Sequence, residues 1–446
     1  MADEREMSRR LFLEAPSVEP LAGGKIVFDR AEGVHLYDVD GRAYWDGISG
    51  IFVSNLGHGN ARVAQAIKDQ VDRLVFHPTG VGTSEPAIRL GQLLVDITPA
   101  SLTSVRLINS GSEATEMAVK LTRQYYRIQD KPLKRKVISR YRSWHGTTLA
   151  GYSMTGVAEK KIEFEPLFPD FLHVLPPYCY RCPFDQQYPG CALTCARVVE
   201  RTIVAEGPET VAAVILDPIM LTAGVLVPPA EYFAIIREAC DRHDVQMIMD
   251  EVITGFGRTG HLFASDLFGV QPDLMCMAKG ISGGYAPLAA TLISSRMARA
   301  FLEHGVAGER GHTFGANPLS AAAGLANVSE LVERRLWELA RQTGAYLKAR
   351  LETLYEYSCV GDVRGEGLLL GLEFVRDRES KEPFADKVNF GGRVHDEALK
   401  RGLVLRASPG FVALGPPLIT TQDEVEAMFQ ILRESIAAVS QIATCD

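Results

Sequence analysis

Short apolar runs alternate with helix-period segments through the middle of the chain. The runs are SVRLIN (104–109), KVISR (136–140), AAVILD (212–217), VQMIMDEV (245–252), DLMCMA (273–278) and LAATLIS (288–294). Between them, SEATEMAVKLTRQYYR (112–127) and AEYFAIIREACDRHD (230–244) carry the apolar spacing of helices. Continuous apolar strands separated by helices predict an α/β fold with a mostly parallel sheet covered on both faces. The ends read differently. KIVFDRAEGVHLYDVDGRAYWDG (25–47) alternates and carries turn signals, which predicts antiparallel hairpin strands. Past about residue 321 a long helical stretch leads into VRGEGLLLGLEFV and GLVLRASPGFVALGPP, again strand-like. The pattern divides the chain into a large α/β domain over 61–328 and a smaller α+β domain built from 1–60 and 329–446.

Composition adds little beyond a soluble enzyme-like balance. Of 446 residues, 46% are apolar and 23% charged, with net charge −8 and no basic block, so nucleic acid is not an expected partner. No run approaches the roughly 18 apolar residues that span a membrane. SRRLFLE (8–14) resembles a twin-arginine export motif, but acids and prolines follow it instead of an apolar stretch, so it reads as a surface arm. Cys240, Cys276, Cys359 and Cys445 are scattered, which suits free thiols in a reducing, cytoplasmic compartment.

The chemistry gathers where the central strands end. SVRLIN runs into Ser110, Gly111 and Ser112 at a helix start, KVISR runs into Trp144, His145 and Gly146, AAVILD ends on Asp217, VQMIMDEV carries Asp250, and DLMCMA ends before Lys279. Ligands of open α/β sheets bind beyond the carboxyl ends of the strands. A glycine turn at a helix N-terminus favours a phosphate, although the same residues read equally as a plain helix cap. A carboxylate at an apolar strand end needs a cationic partner: for Asp250 either a protonated pyridine nitrogen or a nearby arginine such as Arg258. A lysine held between an apolar strand and GISGGYAP can be desolvated into a Schiff-base nucleophile, or can snorkel at the strand end. GFGRTG (255–260) matches a dinucleotide-binding pattern by letters alone; no convincing helix and no acid about 20 residues later accompany it, so it reads as an irregular loop.

Taken together, NSGSEA, SWHG, LDPIM, MDEVITGFGRTG, AKGISGGYAPLAA and GHTFGANPLS resemble the class III (omega) aminotransferases, nearest the omega-amine:pyruvate branch. The resemblance implies fold type I, with a mostly parallel seven-stranded sheet in the large domain, and pyridoxal 5′-phosphate as cofactor. It implies that Lys279 forms the Schiff base with the cofactor and then moves the proton between substrate and cofactor carbons. Asp250 would pair with the pyridine nitrogen, Trp144 and Val252 would cover the ring, and His145 and Asp217 would complete its surroundings. Ser110, Gly111 and Ser112 would hold the phosphate, joined by Thr313 from a second subunit, which implies a homodimer or a tetramer. Phe52, Trp144 and Arg406 would meet the substrate, and no metal is implied at this site. The partners implied are a small amine and a keto acid.

Departures from the family pattern bear on the substrate. Thr222 stands where relatives using 2-oxoglutarate often carry a glutamate gate, and Ile253 replaces a frequent glutamine. Gly80 and Val81 stand where aromatic residues often narrow the pocket. The missing gate at Thr222 argues against a 4-aminobutyrate:2-oxoglutarate type, Ile253 removes a polar contact to the cofactor ring, and Gly80 and Val81 leave a roomier pocket. A 2-oxoglutarate-dependent transaminase, an aminomutase, a racemase and a decarboxylation-coupled transaminase remain open on the same scaffold. One stretch stands apart: PPYCYRCPFDQQYPGCALTCARVVE (176–200) gathers Cys179, Cys182, Cys191 and Cys195. Cys191 and Cys195, four apart, are expected on one helical face. The set reads as a four-thiolate zinc or iron–sulfur site, as two local disulfides, or as four packed thiols.

Overall fold

The alternation near the N-terminus forms three strands, β1 (Phe28–Glu32), β2 (His35–Asp38) and β3 (Ala43–Asp46), paired antiparallel in that order. The computed structural model describes residues 26–306 and 311–443. The export-like stretch 8–14 and Cys445 lie outside the described residues.

The central runs form β4 (Leu102–Ile108), β5 (Lys136–Arg140), β6 (Phe171–Val174), β7 (Val211–Leu216), β8 (Gln246–Asp250), β9 (Leu274–Met277) and β10 (Ala289–Ser294). Their order across the sheet is β4-β10-β9-β8-β7-β5-β6. Neighbours from β6 to β9 pair in parallel, while β10 runs antiparallel to both β9 and β4. Two reversals give β4 the direction of β9. The carboxyl ends of β4, β5, β7, β8 and β9 therefore lie along one edge of the sheet. Every residue of β7, β8 and β9 is buried, which is why they read as unbroken apolar runs. The seventh strand, β6, escapes the apolar-run reading because its four residues, FLHV, are mostly half-buried at the sheet edge.

The helix Gly111–Ile128 follows β4 directly. It buries Ala114, Met117, Ala118, Leu121 and Tyr125, one stripe at helical spacing. That stripe shares a core with Ile108, Ile215, Ile248 and Cys276 of the sheet. After GFGRTG the chain stays in turns until the four-residue helix Ala264–Leu267, as an irregular loop should.

The C-terminal part adds β11 (Val360–Glu366), β12 (Leu369–Asp377), β13 (Glu382–Pro383), β14 (Leu403–Val404), β15 (Arg406–Ser408) and β16 (Phe411–Leu414). Strands β11-β12-β16-β15 form a sheet, with β13 alongside β12. Strand β14 pairs in parallel with β3, so the two ends of the chain build one sheet, β1-β2-β3-β14. Among the described residues no helix is long and apolar enough to cross a membrane.

Candidate active site

The shared strand edge opens on a cavity of about 420 Å³. That is within the few-hundred-Å³ range of small-molecule sites. Ser110, Gly111, Ser112, Trp144, His145, Asp217, Asp250, Val252 and Lys279 all line it, although they come from five different strand ends.

Asp250 is the last residue of β8 and is buried. Its Oδ2 lies 2.8 Å from Nδ1 of His145, and its Oδ1 accepts the backbone N–H of Val252 at 3.2 Å. An ionised carboxylate only accepts, so the Nδ1 facing it carries the proton. The ring of His145 is held through its backbone. The His145 N–H donates to Thr155 Oγ1 at 2.9 Å, and its carbonyl accepts from Thr115 Oγ1 at 2.6 Å. Its buried Nε2 has no partner among the described residues. Arg258 is turned away from Asp250: its guanidinium donates to the carbonyls of Leu368 and Pro416, to Ser49 and to Asn55. The next residue, Glu251, points to the other side of the strand, as period-2 geometry requires. There it accepts from the N–H groups of Ala264 and Ser265 and holds the loop.

Lys279 follows β9 with φ 49°, a left-handed conformation uncommon outside glycine. Burial pulls its amine below the usual lysine range, with Asp250 pulling the other way. Such strain concentrates where a side chain is held for a task.

The start of the helix Gly111–Ile128 is a complete capping box. Ser110 Oγ accepts the Glu113 N–H at 3.2 Å, and Glu113 accepts the Ser110 N–H at 2.9 Å. The capping reading therefore holds, and the dipole and remaining free N–H groups still face the cavity. Ser112 Oγ receives the Thr147 N–H at 3.0 Å. Gly146 sits at φ +133°, where a Cβ would come within 2.7 Å of Ser112 Oγ; a Cβ on Gly111 would meet Val252 at 3.1 Å. These two glycines shape a cradle that side chains would fill.

Asp217 accepts from Nη2 of the fully buried Arg140 at 2.8 Å. Burial pushes its pKa up, and Arg140 and His145 oppose that. Sequence reasoning misses Arg140; the available signal is an arginine closing an apolar strand shortly before SWHG. Arg140→Met should leave Asp217 as an uncompensated buried charge, costing about 3–5 kcal/mol. Urea unfolding would measure that as a lower midpoint with unchanged slope.

Two expected substrate residues lie elsewhere in this chain. Phe52 is buried at φ 59° in a cluster with Ile219, Val225 and Leu369, and its neighbour Val53 faces the cavity in its place. Arg406 sits in β15 opposite Ala413 and does not line the cavity. Thr313 lies exposed in a turn outside this cavity, and the expectation assigns it to the neighbouring subunit's site. The two departure positions, Thr222 and Ile253, both line the cavity. Thr222 Oγ1 donates to the Arg142 carbonyl at 2.7 Å. Gly80 lines a separate cleft with His77 and His312.

A buried acid held by an imidazole, a desolvated lysine, an aromatic ring and a glycine-shaped cradle at a helix N-terminus fit a flat, phosphorylated, electron-withdrawing cofactor. The comparisons agree. The family description Aminotransferase class-III matches residues 19–436. A probable aminotransferase of Mycobacterium tuberculosis is 38% identical over 412 residues, covering 91% of this chain and 88% of its own. An adenosylmethionine-8-amino-7-oxononanoate aminotransferase of Geobacter sulfurreducens is 38% identical, covering 93% and 92%. A putrescine–pyruvate aminotransferase of Pseudomonas aeruginosa is 32% identical, covering 93% and 91%. Among solved structures, an (S)-enantioselective omega-transaminase from Thermomicrobium roseum superposes with TM-score 0.95 at 34% identity, covering 98% of each chain. A PLP-bound amine transaminase from an uncultivated Pseudomonas species superposes at 0.92 with 33% identity, covering 96% and 99%. The chain belongs to the class III aminotransferases, fold type I enzymes that use pyridoxal 5′-phosphate.

Proposed function

We propose that this aminotransferase carries an amino group from an omega-amine or amino acid to pyruvate. The observation that carries the acceptor is the charge of the cavity wall. Lys279 is its one cationic lining residue among the described residues, and Thr222 stands where an acid gate would control an arginine. The relatives differ in their named donors, so they do not choose the amine.

The cofactor, when bound, supplies an electron sink for the bonds at the substrate carbon. Ser110, Gly111 and Ser112 would hold its phosphate, Trp144 and Val252 its ring, Asp250 its ring nitrogen and Lys279 its carbonyl carbon. His145 and Asp217 orient the acid and the strand edge around it. Lys279 Nζ takes the proton leaving the substrate's amine-bearing carbon, a role its lowered pKa supports. A second copy of the chain would bring Thr313 to the neighbouring phosphate.

The test is a panel of β-alanine, taurine, diamines and aryl-alkyl amines, each with pyruvate or 2-oxoglutarate. Alanine should form at least about tenfold faster than glutamate, a difference of roughly 1.4 kcal/mol. Equal or faster glutamate formation would end the pyruvate assignment and leave the aminotransferase class intact. Carbon dioxide release or racemisation without alanine would point instead to another reaction on the scaffold.

A further inference from the structure

The cysteine stretch lies outside the site described above, and its four cysteines line one small space. Cys179, Cys182, Cys191 and Cys195 line it together with Tyr178 and Phe184. Its free volume is about 10 Å³, the size of one water or one ion. The helix begins at Thr194, not at Cys191, because Ala192 and Leu193 take left-handed φ of 47° and 52°. The helical-face expectation for Cys191 and Cys195 therefore fails. The kink instead swings Cys191 around the same space from a turn.

The alternatives can be weighed on this geometry. Two disulfides would pull the thiols into separate pairs, whereas all four are free and share one space. Plain packing would bury them, yet Cys179 is exposed and Cys182 and Cys191 are half-buried. An iron–sulfur cluster needs far more room than about one ion's volume. No acid or histidine lines the space, so the four thiolates favour a soft or borderline cation over an oxygen-loving one. As the chain stands, no group of three or more His, Cys, Asp or Glu side chains among the described residues is set to hold an ion. The part that must close is the turn carrying Cys191, whose neighbours Gly190 and Ala192 are both exposed.

We infer that Cys179, Cys182, Cys191 and Cys195 close on one zinc ion as a structural four-thiolate site. Binding exchanges four S–H protons, released to solvent, for four Zn–S bonds, with no change of oxidation state. The ion would fix the loop at the active-site domain. Tyr178, beside Cys179, packs with Met220, Ala223 and Leu226. Its hydroxyl donates to Glu373, which also accepts from Arg181. Leu221 and Thr222 of the turn between those contacts line the active-site cavity.

The test uses the holoenzyme purified under reducing conditions and equilibrated with Zn(II), then gel-filtered. Elemental analysis should give about one zinc per chain. Replacement with Co(II) should produce intense thiolate-to-cobalt absorption in the near ultraviolet and tetrahedral bands in the visible. Cys179→Ser, at an exposed position, should lower zinc below about a third of an equivalent while the bound cofactor stays. Chelation should speed proteolytic cutting between residues 179 and 195. Zinc below about a tenth of an equivalent in the parent protein would overturn the site. So would zinc that persists in the Cys179→Ser/Cys191→Ser double variant, or a disulfide within the four by mass spectrometry.

Discussion

Lys279→Ala should lower transamination by at least about 10³-fold, within the range of about 10²–10⁴ that one positioned proton-transfer group supplies. The reason is the cavity's composition. Lys279 is the one cationic side chain among its described lining residues, and burial has already lowered the cost of its neutral form. Nothing nearby replaces it: His145 is committed to Asp250 at 2.8 Å, and Asp217 to Arg140 at the same distance. A purely structural lysine would behave differently. Its loss would lower the unfolding midpoint and reduce activity only in proportion to unfolded protein. Here the midpoint should stay nearly constant, and added methylamine, which fits the space left by the side chain, should return part of the rate. Wild-type-like turnover in Lys279→Ala would remove the lysine from the chemistry altogether.

How much of this is readable beforehand follows from where the information lies in the chain. The apolar runs put six of seven central strands within two residues of their observed bounds, because strands buried on both faces write themselves as unbroken apolar sequence. Strand β6 does not, being short, mostly half-buried and at the edge. Residues that end strands are readable too, since position along a strand fixes which edge they reach. What the local pattern does not carry is side-chain direction in irregular backbone. Phe52 packs into the core and its neighbour Val53 lines the cavity, where the backbone at Phe52 takes φ 59°. Cys191 likewise leaves the helix, at two left-handed residues before Thr194. Long-range polar partners are equally invisible. Arg140 meets Asp217 across 77 residues and Tyr178 meets Glu373 across 195. No periodicity encodes such pairs; they appear only when the folded chain brings distant segments together.

Asp250→Asn is the sharper test of how the site works, because it changes charge and almost nothing else. The side chain keeps its size, and the amide oxygen can still accept the Val252 N–H that Oδ1 now takes. What disappears is a buried negative charge at the cavity wall. Removing one partner of a buried charged hydrogen bond costs about 2–5 kcal/mol. At roughly 1.4 kcal/mol per factor of ten, that predicts a fall of about 30- to 4,000-fold in kcat/KM. The imidazole complicates the attribution, since the amide introduced by Asp250→Asn would also present a different partner to Nδ1 of His145. His145→Gln separates the two effects: it leaves Asp250 ionised and should cost about tenfold or less if the imidazole only orients the acid. A cofactor analogue methylated on its ring nitrogen carries a fixed positive charge that needs no acid to keep it. With that analogue, parent and Asp250→Asn enzymes should differ by much less than with the natural cofactor. If the gap is unchanged, Asp250 acts through the fold of the strand edge and not through charge at the ring.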